Sequence, residues 1–484
     1  MKRVRGIPWP SAALTLLLGA CSLAPPLKTP DIPTAAAYKE LGPWTQAQPA
    51  DRLPRDSWWT LYDSAELDQL QKRLISGSPT LAAAFANYAQ ARALSDQARA
   101  GLFPTVGLNA SATRNRDSVN APLRLPTSPP YFNDNTVGGS ASYELDLWGQ
   151  IRNEVAMGAA NAAASAADLE NARLLLIAQL VEDYIQLRSL DRDSAILDET
   201  VLAYARALGL TEQRHNAGIA PGLDVSQAQT QLDAARSQAA QTLAQRALME
   251  HAIAALLGVS ASTFSIKPQI VDINLPQIPS GVPTTLLQRR PDIAGAQRRM
   301  IAANANIGVA RAAFFPTLTL GAQGGFQSTS ASNWLGAPSS FWAIGPNALL
   351  SVFDGGLRRA QVAQARAEFD ASAANYRSTV VSAFQQVEDS LASLNHYHDA
   401  SVDEKAAVDA AQRTLDFSMA LYKQGATDYL TVVTSQAALL QTQLEALTLD
   451  TLQLTASVDL VRALGGGWEE SAQNGGTSDA KHRG

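Results

Sequence analysis

The spacing of apolar and polar positions changes several times along the chain and then passes through the same series again. Pro79 to Leu102 reads as a helix, with proline in the first turn and Ala, Gln and Arg filling the interior. After Phe103-Pro104 the period drops to two. Val106, Leu108, Ala110 and Ala112 point one way and Thr105, Gly107, Asn109, Ser111 and Thr113 the other, which predicts a strand with one apolar side. A Pro/Asn-rich loop from Asn120 to Asn135 leads to a second alternating run, Ala141, Tyr143, Leu145 and Leu147 opposite Ser140, Ser142, Glu144 and Asp146. From Gln150 to Asn216 the period is helical throughout, a length of about 100 Å at 1.5 Å per residue. Leu187, Leu190, Leu197, Val201, Tyr204 and Leu208, with Ser194 filling the gap, form its heptad seam.

The series then repeats. Pro79 and Pro104 recur as Pro291 and Pro316, both 212 residues on, so Ala313-Phe314-Phe315-Pro316-Thr317 matches Gly101-Leu102-Phe103-Pro104-Thr105. Gly149-Gln150-Ile151-Arg152 matches Gly355-Gly356-Leu357-Arg358 at an offset of 206, and Asn216-Ala217-Gly218 matches Lys423-Gln424-Gly425 at 207. Leu318, Leu320 and Ala322 predict a third strand. A Gly/Ser-rich loop holding Trp334 follows, and Ile344, Ala348, Leu350 and Val352 predict a fourth. Val380, Phe384, Val387, Leu391 and Leu394 carry the second long seam, and Ala437, Leu440, Leu444, Leu447, Leu454, Val458 and Val461 its return. Both long helices stop at a glycine, Gly218 or Gly425, and a helix resumes at Leu223 or Asp428, so each repeat holds one helical hairpin. The organisation expected is residues 1–20 a leader, 21–78 an N-terminal segment, 79–258 the first repeat and 259–290 a linker carrying Pro268, Pro276, Pro279 and Pro283. Residues 291–465 form the second repeat and 466–484 a Gly/Ser/charged tail expected to be disordered.

Composition narrows the function classes. The 484 residues carry 38 Lys+Arg against 44 Asp+Glu, a net charge of −6, with no clustered basic surface of the kind phosphate neutralisation needs, so nucleic acid is excluded as a partner. No long uncharged apolar stretch follows the leader, so any membrane crossing by the mature chain falls to strands. Four strands cannot close a barrel, because the smallest spanning barrels use about eight, and an open edge is not tolerated in lipid. Inserted strands therefore require several copies; three copies supply twelve.

The leader has a basic start (Lys2, Arg3, Arg5), a short apolar run from Ala12 to Leu18, and small residues before the sole cysteine, Cys21. Leu18-Gly19-Ala20-Cys21 resembles the bacterial lipobox, which implies cleavage and lipidation at Cys21, and Ser22 after it implies sorting to the outer membrane. Removal of three positive charges takes −6 to −9. One cysteine permits neither an intrachain disulfide nor a cysteine-rich metal site.

Several further motifs stand in order: Ser57-Trp58-Trp59 with Leu61-Tyr62-Asp63, Tyr143-Glu144-Leu145-Asp146-Leu147-Trp148-Gly149, Leu287-Gln288-Arg289-Arg290-Pro291-Asp292, Ala313-Phe314-Phe315-Pro316 and Leu464-Gly465-Gly466-Gly467-Trp468. Together with the duplication and the lipobox they make the chain resemble the TolC-type outer membrane factors, and among them the NodT/OprM-like efflux lipoproteins, over nearly all of the mature sequence. The resemblance implies an α+β membrane protein of tandem-duplicated helical hairpins forming a periplasmic tunnel, with four strands per chain completing a twelve-stranded barrel as a homotrimer. An equatorial collar comes from residues near 40–75, the linker and the C-terminal segment.

It also implies a lipid-anchored exit duct in the bacterial outer membrane, with a long periplasmic part. The duct serves a periplasmic adaptor (membrane fusion) protein and an inner-membrane efflux transporter of RND type. No enzymatic activity, cofactor or metal is implied. A type I protein-secretion duct shares the architecture; a diffusion porin and a periplasmic coiled coil are the remaining rivals. By the same resemblance the periplasmic gate falls on Asp224 and Tyr422. Thr431 and Thr434 stand where some relatives have aspartates and Thr427 where some have arginine, with Asp428 a partial substitute. On residues alone Asp224 reads equally as a helix N-terminal acid favoured by the dipole. Adaptor contact falls on Gly218, Ile219, Ala220, Gly425 and Ala426, where the glycines also serve as turn residues. His396 and His398, two apart, face different sides of a helix, and Glu144 with Asp146 read as the wet face of a strand.

Overall fold

Matching segments of the two repeats fold into matching elements. In the computed structural model, which describes residues 22–32, 37–40, 57–118, 120, 127, 129–276, 278 and 290–466, α1 (Ala65–Gly77) lies in the N-terminal segment and the first repeat runs through α2 (Pro79–Ala100), β1 (Thr105–Arg116), β2 (Tyr131–Glu144), α3 (Gln150–Asn216) and α4 (Gly222–Leu256). The second runs through α5 (Pro291–Ala312), β3 (Thr317–Ser328), β4 (Ser340–Leu349), α6 (Leu357–Gln424) and α7 (Tyr429–Ala463). The offset of 212 holds at both ends of the α2/α5 and β1/β3 pairs, and α4 and α7 are both 35 residues long, 207 apart. Cys21 and the leader, Leu287-Gln288-Arg289, Gly467-Trp468 and the tail lie outside the described residues.

Contacts divide the chain into two compact units, residues 1–30, 88–165 and 296–376 in one, and 31–87, 166–295 and 377–484 in the other. Both draw on both repeats. The first unit holds the sheet, antiparallel in the order β1-β2-β3-β4. Its register sorts the residues by face. Val106, Ala141, Ala322 and Ile344 lie in one cross-strand row and Leu108, Gly139, Gly324 and Trp342 in the next. Gly107, Ser140, Gln323 and Ala343, then Ser111, Thr136 and Gln327, fall on the other face. The predicted apolar side therefore continues across all four strands. It stands open, with Leu108 90% and Trp342 79% exposed. The outer edges of β1 and β4 have no neighbour among the described residues. No described helix is long and apolar enough to cross a membrane.

Strand limits depart from the expected ones. β2 starts at Tyr131, inside the predicted loop, because Asn133, Asp134 and Asn135 pair with Arg114, Thr113 and Ala112; ladder hydrogen bonds override the low strand propensity of these residues. Leu145 and Leu147 fall beyond β2, as Leu350 and Val352 fall beyond β4. Asp146 is likewise off the strand. Its carboxylate accepts from the Ile151 and Arg152 amides and pairs with the Arg152 guanidinium at 3.0 Å, a cap at the entry to α3 rather than a lumenal partner for Glu144. Asp354 does the same for α6 through the Gly356 and Arg358 amides, and those bonds with the Arg358 charge hold its carboxyl below the usual range.

The second unit is built around the helical seams. Leu187, Leu190, Leu197, Tyr204 and Leu208 on α3 and Val380, Val387, Leu391 and Leu394 on α6 are buried. On α7, Leu447, Val458 and Val461 are buried as expected, but Ala437 is exposed, and the buried line of the first half runs through Val432, Ser435 and Leu439. Ser435 can turn inward because its hydroxyl meets that of Ser418 at 3.0 Å.

Charged side chains also enter this core, where the apolar pattern gives no warning of them. Asp191 of α3, with its side chain 2% exposed, accepts from Arg188 and from Arg246 of α4, both at 2.6 Å. The two guanidiniums then take the Lys267 and Ile266 carbonyls of the linker, and Asp191 takes the Gln269 amide. Glu66 pairs with Arg188 and Glu250 with Arg246. A buried ion pair needs further partners for its polar groups, and here the linker backbone supplies several of them, although Arg188 Nε is left without one. The linker is thereby fastened to the first hairpin.

Candidate gate at the hairpin tips

Both tips are shaped by a glycine in the left-handed region, φ +72 at Gly218 and +76 at Gly425. In each, the residue after the glycine reaches back five positions, Ile219 N–H to the Arg214 carbonyl and Ala426 N–H to the Leu421 carbonyl, which satisfies carbonyls the helix end leaves free. A Cβ at either glycine meets nothing within 4 Å, so glycine is required there by backbone conformation and not by space.

The chain leaves the first tip through Pro221 and enters α4 with Asp224 in its first turn. It leaves the second through Asp428, whose carboxylate caps α7 by accepting from the Thr431 amide at 3.0 Å and the Thr431 hydroxyl at 2.7 Å. Those bonds hold the Asp428 carboxyl below its ordinary value. The Thr427 hydroxyl donates to that of Thr431, and the Thr434 hydroxyl returns to the Leu430 and Thr431 carbonyls. Asp428 and Thr431 are thus engaged in starting a helix, with Thr434 bonded to the helix's own backbone.

Asp224 and Tyr422 are brought together across the two hairpins. The Tyr422 hydroxyl, in the last turn of α6, donates to Asp224 Oδ2 at 3.1 Å. Burial and the Asp224 charge hold the phenol above its ordinary pKa. Two residues that sequence reasoning missed, Tyr429 and Arg214, complete the arrangement above the seam residue Tyr204. Tyr429 packs on Tyr422 with ring centroids 5.1 Å apart. Arg214 lies over the Tyr422 ring at 4.7 Å and donates to the Lys423 carbonyl at 3.2 Å. Tyr204 joins Leu208, Leu232 and Val432 in the buried cluster beneath. The duplication offers one signal: the position 207 residues on from Asp224 is Thr431, so one repeat supplies a carboxylate where the other has a hydroxyl.

Of the residues assigned to adaptor contact, Gly218, Ile219, Gly425 and Ala426 are exposed, Ile219 at 65%. Ala220 is buried, and its carbonyl meets His215 Nδ1 at 2.9 Å. Two hydrogen bonds thus join the hairpins at their tips, Tyr422 to Asp224 and Arg214 to the Lys423 carbonyl, and no cluster of metal-ligating residues lies among the described ones.

A family model described as outer membrane efflux protein matches residues 70–259 and 282–466. The toluene efflux pump outer membrane protein TtgC of Pseudomonas putida is 32% identical over 462 residues, 95% of each chain. The pyoverdine export outer membrane protein OpmQ of the same species is 32% identical over 94% of this chain and 96% of its own. Among solved structures, the outer-membrane channel OprN superposes with a TM-score of 0.84 at 30% identity, over 93% of this chain and 100% of that one.

Proposed function

Because the chain belongs to the outer membrane efflux protein family, we propose that it is the outer-membrane exit duct of a tripartite efflux pump. The observation that carries the reading is the sheet: one face with apolar rows from β1 to β4, the other predominantly polar across β1 to β3, and two edges unpaired among the described residues. Such a sheet is stable in lipid only when its edges are joined. Three copies edge to edge give a twelve-stranded barrel with the apolar rows towards lipid and the serine and glutamine rows towards water. The two hairpins of each chain then give twelve helical strands for a periplasmic tunnel. Cys21 carries the lipid, and no other cofactor is needed. Energy comes from an inner-membrane transporter of RND type through an adaptor that meets the exposed tip residues Gly218, Ile219, Gly425 and Ala426.

Conduction itself is passive. In the resting duct the Tyr422–Asp224 bond, backed by Arg214 and Tyr429, holds the two hairpins of each chain together; opening separates them at the cost of that bond and of the Arg214 contacts with Lys423 and the Tyr422 ring. Substrates are small toxic compounds selected upstream. The relatives TtgC and OpmQ, equally similar to this chain, are named for toluene and for pyoverdine.

The test compares accumulation of a fluorescent efflux dye and of a panel of antibiotics in cells with the gene deleted and restored. Greater accumulation on deletion, reversed by restoration, is expected. If accumulation is unchanged while exported proteins are lost from the medium, the chain is a protein-secretion duct instead.

A further inference from the structure

The segment that follows Cys21 is seated in a groove of its own, built from α5 of the second repeat and the start of α3 in the first, and the matching pairing of α2 with α6 lacks it. On α5, Asn304, Gly308 and Arg311 are spaced i, i+4, i+7 and share one helix face. Asn304 Nδ2 donates to the Pro25 carbonyl at 2.9 Å and Arg311 Nη1 to the Leu23 carbonyl at 3.0 Å. From the first turn of α3, Asn153 accepts from the Ser22 hydroxyl at 2.9 Å and donates to the Gly149 carbonyl at 2.7 Å, with the residue only 5% exposed. Gly308 lies between them. A Cβ there would sit 2.5 Å from Asn153 Nδ2 and 2.9 Å from the Ala24 amide, closer than either contact allows, so glycine is what lets the segment lie down.

The duplication supplies an internal control. At the positions matching Asn304, Gly308 and Arg311 the first repeat carries Arg92, Asp96 and Arg99, and the position matching Asn153 is Arg359, which is exposed. A glycine opening and two buried asparagine amides are thus found in one of two otherwise matched helix pairs.

We propose that this groove is a docking site for the chain's own N-terminus, which fixes the acylated cysteine at the foot of the sheet; the role of the acyl group rests on the lipidation reading above. Ser22 is held against the first turn of α3, a few residues beyond the end of β2. Consecutive Cα atoms are about 3.8 Å apart, so acyl chains on Cys21 start within one residue of that point. The anchor then enters the membrane at a set place beside the strands and acts as part of the protein's lipid-facing rim, where a free tether would let it wander.

The test uses the full-length protein purified in detergent, with Lys28, exposed in the seated segment, as the reporter. Trypsin cleavage after Lys28 is followed by mass spectrometry of the released N-terminal fragment, which also reads the acyl mass. N304A/R311A adds no atoms and removes both backbone clamps; G308D installs the first repeat's residue. Each is expected to accelerate cleavage at least about tenfold, with the acyl mass unchanged. Cleavage rates equal to the native protein in N304A/R311A overturn the docking whatever G308D does to folding. Absence of acyl mass from the native fragment overturns the lipidation reading instead, and the two failures are read from different measurements.

Discussion

Replacing Tyr422 by phenylalanine removes one oxygen and keeps the ring that packs against Tyr429 and under Arg214. The bond lost is the 3.1 Å hydroxyl–carboxylate contact with Asp224, which is half-buried. A hydrogen bond in that setting contributes about 1 kcal/mol net, roughly fivefold in an equilibrium. If the three chains of a trimer part together, their contributions multiply to on the order of 100-fold in favour of opening. Single-channel recording of the purified trimer in a planar bilayer measures this directly. Tyr422→Phe is expected to raise open probability, and Asp224→Ala to raise it by a similar factor with larger conductance. The double variant is expected to add nothing further, because both changes remove one bond. Native open probability in Tyr422→Phe, or two effects that simply add, would refute this role for the bond.

Three further outcomes follow from the geometry. Gly425→Asn, which tolerates the left-handed backbone, is expected to keep trimer and export, whereas Gly425→Trp keeps the trimer and abolishes export; dye efflux and native gels separate the two. Asp191→Ala takes from two buried guanidiniums the carboxylate they share, leaving each its glutamate and a linker carbonyl, and should lower stability by on the order of 3 kcal/mol, read as a shift in the urea midpoint, with unchanged unfolding refuting the fastening role of the network. Burial pushes the Tyr204 and Tyr429 phenols up to about 12, so the fold favours their neutral forms. Their stabilisation is whole below the free value of about 10 and is lost as pH rises towards 12. Tyrosinate absorbance of native, Tyr204→Phe and Tyr429→Phe proteins should show these two groups titrating above the free value, with Tyr62, more deeply buried, later still.

Hydrophobic period made the helices legible, and the offset of 212 carried the α2 and β1 limits onto α5 and β3 without a residue's error. It could not place the start of β2, where Asn133 to Asn135 look like loop until a partner strand pairs with them. Asp146 kept the alternation of the strand it had already left, because a capping carboxylate and a wet strand face use the same residue type. The Asp191 network was hidden for a similar reason: charged residues along a helix read as solvent-facing until the linker folds over them. The pairing of Asp224 with Tyr422 came from family likeness alone. The two residues lie 198 apart, and neither local pattern names the other.

The sheet order has a consequence for biogenesis. β1 and β2 are neighbours in sequence, as are β3 and β4, but β2 pairs with β3 from Asn135↔Ser328 to Glu144↔Thr319. Everything from Leu145 to Pro316, including a whole helical hairpin, is made between those partners. Each strand pair can form early from local contacts, while the ladder that joins them waits for the second repeat to leave the ribosome and cross the inner membrane. During that interval β2 presents an unpaired row of backbone N–H and C=O groups beside an apolar face, so the half-made chain is the species most exposed to aggregation.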